Sequence, residues 1–326
     1  MLTPFSRRIF CLFLITCTLF LPLCSGLAAS KPEAVLDPIF QVDGDFPFDS
    51  STPLFEIFFI ETKRSDAFLL RCNGQTMLVD GGSRADQPLL ARFLMAENGS
   101  WELGSMLNTH EDNDHLDAQV VLLERGAVAR NFLAPIAPDP KLRGYKKLLT
   151  LLENAKIPYV QVPHGSLLQL GGGKPGDGAT LLHGGLTAWQ EGTALFRAYC
   201  STLNKWDTNR RSLVLHITFG ERTVLLTGDL TGKGQRDLLS FENTPLEADV
   251  YKTPHHGITP TVPVFMDAVN PKLAIITNER KRTGSQSAQL EGRGIPTYYT
   301  SNGTIYMATD GKTWYLRQAP LDLSTP

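Results

Sequence analysis

The chain contains no CxxC pair, no second long apolar run and no marked excess of either charge. Each absence removes a class of protein. Without cysteines at metal-ligand spacing, any metal would have to be held by imidazole and carboxylate rather than by thiolate. Cysteine is scarce altogether: of five in 326 residues, Cys11, Cys17 and Cys24 fall in the first 28. Only Cys72 and Cys200 remain, and in an oxidising compartment such a pair can close a disulfide. A formal charge of −2 argues against a broad, sequence-independent grip on nucleic acid. Arg210, Arg211 and the Glu279-Arg280-Lys281-Arg282 run are the places where a local basic patch could form. With 42% hydrophobic and 20% charged residues, the composition is that of a globular protein and not of a disordered or fibrous one.

The one long apolar run, residues 9–23, follows Arg7 and Arg8 and precedes the small residues of "CSGLAAS". This is the pattern of a signal peptide over residues 1–28, cut between Ala28 and Ala29, and it is short for a membrane span. The expectation is a secreted or periplasmic protein with no stable membrane insertion after cleavage, or a membrane-anchored one if the segment is kept. Without Arg7 and Arg8, 29 of the 31 basic residues face 33 acidic ones, a net of −4. Residues 29–52, rich in Pro, Asp and Ser, form a lead-in; residues 53–318 form one mixed domain; residues 319–326 are a C-terminal tail.

Within the domain, apolar segments at 54–60 and 67–79 alternate as strands do, and Asn73-Gly74 is a two-residue hairpin signal. A helix is expected over residues 87–98, with Pro88 in its first turn and Gly99 at its stop. Strands follow near 103–108, 131–134 and 157–162, and helices at 116–124 and 141–155. The second half restarts with a hairpin about Gly220-Glu221, and later strands include "KLAIIT", "IPTYYT", "GTIYMAT" and "KTWYLR". Two mixed halves packed sheet on sheet, with helices outside, is the architecture this order implies. "GGGKPGDG" at 171–178 is a turn and not a phosphate loop, because Pro175 stands where Ser or Thr is needed.

Chemistry concentrates in "NTHEDNDHLDA", residues 108–118. His110, Asp112, Asp114 and His115 lie between a strand end and a helix start, where a chain reversal can turn them to one side. Imidazole and carboxylate suit zinc, and the carboxylate share also admits manganese or magnesium. The alternative for the same stretch is a capping loop, with Asp114 at the helix start. Two further strand ends carry ligand types: Asp229 in "VLLTGDL" and His255-His256-Gly257 in "DVYKTPHHG". His164 sits in a turn and His216 on a strand, with no ligand pattern around either.

In these segments, together with "LVDGG" at 78–82 and "NRRSLVLHITFGERTVLLTGDL" at 209–230, the chain resembles the metallo-β-lactamase superfamily. Within it, the nearest branch is the C-terminal hydrolase domain of the ComEC/Rec2 competence proteins. The resemblance spans roughly residues 54–318. It implies an α+β fold, a four-layer αββα sandwich over 53–318, and a metal-dependent hydrolase whose two divalent ions, zinc or manganese, hold a hydroxide nucleophile. Residue by residue, it implies His110 and Asp112 on the first metal, Asp114, His115 and His255 on the second, and Asp229 as the bridge. Asp114, Asp229 and His256 would then be the catalytic set, with His256 orienting a ligand or moving a proton. His183 is a further candidate ligand, or a turn histidine. Phosphodiesters, whether small molecules, nucleotides or nucleic acid, are the substrate class this branch implies. Lactones, thioesters or amides are the alternative substrates, and a non-catalytic binding module is the alternative class. The chain departs from the family pattern at Leu116-Asp117-Ala118 after His115, at Ile258 after the HHG, and after Asn278, where no histidine follows.

Overall fold

The computed structural model describes residues 34–44, 46–48, 52, 54–182, 192–201, 207–241 and 244–321. The expected signal segment, His183 and residues 322–326 of the tail lie outside the described residues.

In chain order the first half runs β1 (Phe40–Val42), β2 (Phe55–Phe59), β3 (Phe68–Cys72), β4 (Gln75–Val79), α1 (Gln87–Asn98) and β5 (Glu102–Leu107). It continues with α2 (Asn113–Glu124), β6 (Val128–Ala134), α3 (Tyr145–Ala155) and β7 (Tyr159–Gln161). The second sheet is supplied by β8 (Leu167–Leu170), β9 (Thr180–Leu182), β10 (Ala194–Tyr199), β11 (Val214–Phe219) and β12 (Arg222–Leu226). After these come α4 (Gly232–Ser240), β13 (Val250–Lys252), α5 (Pro263–Val269), β14 (Leu273–Ile276), α6 (Gly284–Gly292) and β15 (Thr297–Tyr299). Finally β16 (Thr304–Thr309) and β17 (Trp314–Ala319) return to the first sheet.

One sheet has the order β1-β17-β16-β2-β3-β4-β5-β6-β7, and the other β15-β14-β13-β12-β11-β10-β8-β9. Their facing sides are packed with Phe55, Ile57, Phe59, Phe196, Leu215, Ile217, Val224, Leu226 and Ile275. The outer side of the first sheet is covered by Leu90, Phe93, Leu116 and Leu148 of α1, α2 and α3. Leu238, Phe265, Met266 and Leu290 of α4, α5 and α6 cover the second. Strand β12 shows how the pattern builds layers: Val224 and Leu226 face the other sheet, while Leu225 faces the helices, the two-residue alternation of a pleated strand. The result is an α+β sandwich of four layers, αββα, as the element order implied.

Two differences from the expectations have local causes. The lead-in is not wholly irregular, since β1 pairs in parallel with β17. Helix α2 begins at Asn113 rather than 116, because extended Asp112 (φ −70°, ψ 150°) ends the preceding loop and Asp114 falls in the first turn, where the helix dipole favours an acid. Cys72 and Cys200 remain separate buried thiols, and burial pushes them up to about 12 and about 11 respectively. No helix among the described residues is long and apolar enough to cross a membrane.

The parallel runs β4-β5-β6-β7 and β12-β13-β14-β15 have one functional consequence. The segments leaving the carboxyl ends of β4, β5, β12, β13 and β14 meet at one edge of the sandwich. Open sheets with parallel strands expose their loops, and hence their sites, at such ends.

Candidate metal centre

Asp80 follows β4 in a left-handed backbone conformation (φ 53°), which turns its carboxylate inward. Its Oδ1 accepts from Asn108 Nδ2 at 3.1 Å and from the Thr109 amide at 2.8 Å. Its Oδ2 accepts from Thr109 Oγ1 at 2.7 Å and from His115 Nδ1 at 2.8 Å. With its own proton given to Asp80, the Thr109 hydroxyl accepts from His110 Nδ1 at 3.1 Å. One buried carboxylate therefore orients two imidazoles, His115 directly and His110 through a threonine.

A second arrangement of the same kind stands opposite. Asp66, just before β3, accepts on Oδ1 from His256 Nδ1 at 3.1 Å and from Thr277 Oγ1 at 2.7 Å. Its Oδ2 is paired with the buried Lys252 ammonium, which also donates to the Gly228 carbonyl at 2.9 Å. The turn after β13 is left-handed at three successive residues, His255 (φ 52°), His256 (φ 51°) and Gly257 (φ 70°). That reversal carries His256 into the interior and leaves the His255 side chain 31% exposed.

Between the two dyads lies Asp229, held by its amide, which donates to Ser212 Oγ at 3.1 Å. Its Oδ1 is 3.1 Å from His115 Nε2, and its Oδ2 is 3.3 Å from His256 Nε2 and 3.8 Å from His255 Nε2. Asp114 Oδ2 is 3.5 Å from His256 Nε2, and Asp112 Oδ2 is 3.7 Å from His110 Nε2. The His110 and His115 rings have centroids 4.1 Å apart. His110, Asp112, Asp114, His115, Asp229, His255 and His256, which are far apart in sequence, thus gather at one place.

The fit to a divalent metal follows from what is left unbonded. The Nε2 atoms of His110, His115 and His256 and Oδ1 of Asp229 are buried without a hydrogen-bond partner. Buried polar atoms without partners are costly, and here these four converge, with Asp66 Oδ2 beside them likewise without a hydrogen bond but ion-paired with Lys252. Metal-ligating histidines characteristically give their other ring nitrogen to a carboxylate or hydroxyl, as all three do. Asp66 also lies within 4.8 Å of the donors of His115, Asp229 and His256. Its oxygens, however, are taken by Lys252, His256 and Thr277, so it supports the donors rather than joining them.

Electrostatics in the metal-free protein agree. Burial raises the cost of charging Asp229, but His115 and His256 outweigh it and hold its carboxyl well below the usual range. Burial opposes charging His256 too, yet Asp229 and Asp66 raise it to about 10, and Asp229 and Asp80 likewise hold His115 well above its ordinary value. His110 is pushed well below its ordinary value by burial and by the neighbouring His115. His115 and His256 thus carry protons in the folded state that an unfolded imidazole, near pH 6.5, would shed. Their stabilisation is complete below about pH 6.5 and is lost as pH rises toward the folded values, at about 1.4 kcal/mol per pH unit for each titrating group. Chelator-treated protein should therefore melt progressively lower between about pH 7 and pH 10. Zinc-loaded protein should not follow it, because metal displaces those protons. Thermal melts of both forms across this range check the expectation; a stripped protein that gains stability would contradict it.

Asp66, Asp80, Thr277 and Lys252 also belong to this centre, and none of them stands in a cluster of ligand types in the sequence. Their only sequence signals are a polar residue immediately before a strand, at its end or just beyond it: Asp66 before "AFLL", Asp80 after "MLV", Lys252 ending "VYK", Thr277 after "LAII". The suspected basic patches are neutralised locally. Arg210 pairs with Asp237, Arg211 with Glu111, Arg280 with Glu291, and Lys281 and Arg282 with Glu279.

No family model matches the chain. It is 28% identical over 194 residues to ComE operon protein 3 of Bacillus subtilis (strain 168), a match covering 59% of this chain and 22% of that protein. It is 36% identical over 73 residues to competence protein ComA of Neisseria gonorrhoeae, covering 22% of this chain and 11% of that protein. The chain therefore spans less than a quarter of either relative's length. Similar solved structures include CmlA, a diiron β-hydroxylase from Streptomyces venezuelae (15% identity, TM-score 0.45, 76% of this chain and 53% of that one). Others are a metallo-β-lactamase from Cronobacter sakazakii (16%, TM-score 0.40, 73% and 88%) and the metallo-β-lactamase-fold protein YhfI from Bacillus subtilis (9%, TM-score 0.42, 75% and 95%). The chain is similar to competence proteins and to metallo-β-lactamase-fold structures, the two groups its motifs resemble.

Proposed function

We propose that the protein is a metal-dependent hydrolase acting on phosphodiester-type substrates. The observation that carries the metal is the convergence of four unbonded buried donors, three of them imidazoles fixed from behind. The substrate class rests on the resemblance of the strand-end motifs to the ComEC/Rec2 hydrolase domain, supported by the 28% identity to ComE operon protein 3 over 59% of the chain.

In this reading His110 and Asp112 would hold one divalent ion and Asp114 and His115 the other, with Asp229 a donor available to both. We assign His256, rather than His255, as the remaining donor of the second ion. Supporting that choice, His256 is buried, is anchored through Nδ1 to Asp66, and points Nε2 at Asp114 and Asp229. Divalent ions so held would polarise the ester oxygen and acidify a water near neutral pH. The protein's own groups do the rest. Asp80 and Asp66 keep the imidazoles in the tautomer that presents Nε2. His255, partly exposed at the mouth and held below its ordinary value chiefly by burial, stands neutral at pH 7 and can accept a proton from the attacking water.

Elemental analysis of the protein, with hydrolysis of bis(p-nitrophenyl) phosphate on the same sample, tests the reading. Close to two metals per chain with hydrolysis supports it. Metal without hydrolysis overturns the phosphodiester assignment and moves the search to carboxylic esters, thioesters and lactams. Absence of metal after zinc or manganese supplementation would leave a binding module on a hydrolase-like fold.

A further inference from the structure

A cavity of about 440 Å³ adjoins the centre, and its lining includes Glu111, Asp112, Asp114, Arg143, Gly144 and Thr208. Asp112 and Asp114 belong to both the centre and the cavity, so the two are continuous. A cavity of this size accommodates a small-molecule fragment of nucleotide dimensions.

The charges along its wall are not equivalent. Glu111 is already paired with Arg211, and Thr208 hydrogen-bonds Asp112. Asp112 and Asp114 are committed to the centre. Arg143 is the cation among the lining residues; its field reaches Asp117, but it is exposed and makes no ion pair among the described residues. Its place on the wall follows from its neighbour. A Cβ at Gly144 would stand 2.6 Å from the Glu111 carbonyl oxygen, so glycine is what lets the segment before α3 lie against the metal motif. With divalent ions bound, Asp112 and Asp114 would be neutralised, and the guanidinium would be the uncompensated charge among the lining residues. Its planar donor fork suits a phosphate oxygen pair.

We propose that Arg143 binds a second phosphate of the substrate, so that the enzyme prefers phosphodiesters carrying a further phosphate beside the scissile one. This rests on the hydrolase reading above. Two substrates differing in that group decide it: thymidylyl-thymidine with and without a 5′-phosphate, compared on metal-loaded protein. In Arg143→Ala the ratio of kcat/KM for the two should fall about tenfold, equivalent to about 1.4 kcal/mol, with the change carried in KM. Arg143→Lys should recover part of the ratio, and Lys312→Ala, remote in the β16–β17 turn, should keep it. Titrations of thymidine 3′,5′-bisphosphate and of thymidine 3′-monophosphate, which differ only in the further phosphate, run whether or not turnover is seen, give the corresponding ratio as dissociation constants. An Arg143→Ala ratio equal to that of the wild type, in turnover or in binding, overturns the proposal. Failure of the hydrolase reading shows separately, as missing metal or missing turnover in the wild type.

Discussion

Asp229→Ala protein should bind far less metal than the wild type and hydrolyse bis(p-nitrophenyl) phosphate more than about 100-fold more slowly. Loss of an outer supporting group alone typically costs 10- to 100-fold in metal affinity or activity, and Asp229 is not an outer group. Its two oxygens are 3.1 Å from His115 Nε2 and 3.3 Å from His256 Nε2, so its removal takes away the carboxylate between the two halves of the centre. It also removes the group that, with Asp80 and Asp66, holds charge on those imidazoles. The variant should keep its fold, because Asp229 packs at the sandwich edge and not between the sheets. Elemental analysis with a far-ultraviolet circular dichroism spectrum checks both statements. An intact spectrum with wild-type metal content would remove Asp229 from the donor set.

Lys252→Met should lower the melting temperature by about 10 °C. The ammonium is fully buried, a rare state for lysine unless it is paired. It is bonded to Asp66 and the Gly228 carbonyl and lies 3.9 Å from Asp229. Removing one partner of a buried ion pair costs roughly 3–5 kcal/mol because the other charge is left uncompensated. For a domain of this size each kcal/mol moves the melting temperature by about 2–4 °C. The Coulombic attraction of Lys252 is also the largest influence opposing burial at Asp66 and holding its carboxyl below the usual range. Adding Asp66→Asn to Lys252→Met should therefore restore much of the loss, since both charges are then gone. A Lys252→Met protein as stable as the wild type would show that Asp66 does not need this counter-charge.

How far the site could be read in advance varied with the kind of residue. The strand-end ligand types His110, Asp112, Asp114, His115, Asp229 and the His255-His256 pair stand in dense, recognisable clusters, and folding brought all of them together. Asp66 and Lys252 stand alone in ordinary sequence surroundings, and their importance arises only when β3 and β13 meet across the sandwich. Which of two adjacent histidines turns inward was equally hidden. It depends on the left-handed run at 255–257, which no side-chain pattern reveals. Among the helices, α1 was legible to its last residue because Pro88 and Gly99 mark its ends. The start of α2 was not, because its first turn is polar and follows no apolar period.

The bond from His256 to Asp66 joins residues 190 positions apart, and that from Thr277 to Asp66 joins residues 211 apart. Each half of the chain alone therefore holds an incomplete centre: the first has Asp66, Asp80, His110 and His115, the second Asp229, Lys252 and His256. Contacts of such separation are slow to form, since long loops must close before they are rewarded. The centre is thus among the last features a growing or refolding chain can acquire. Full metal uptake during refolding should accordingly report completion of the whole sandwich, and a chain arrested before β13, which lacks Lys252, His256 and the β16–β17 part of the first sheet, should hold less zinc than the complete chain.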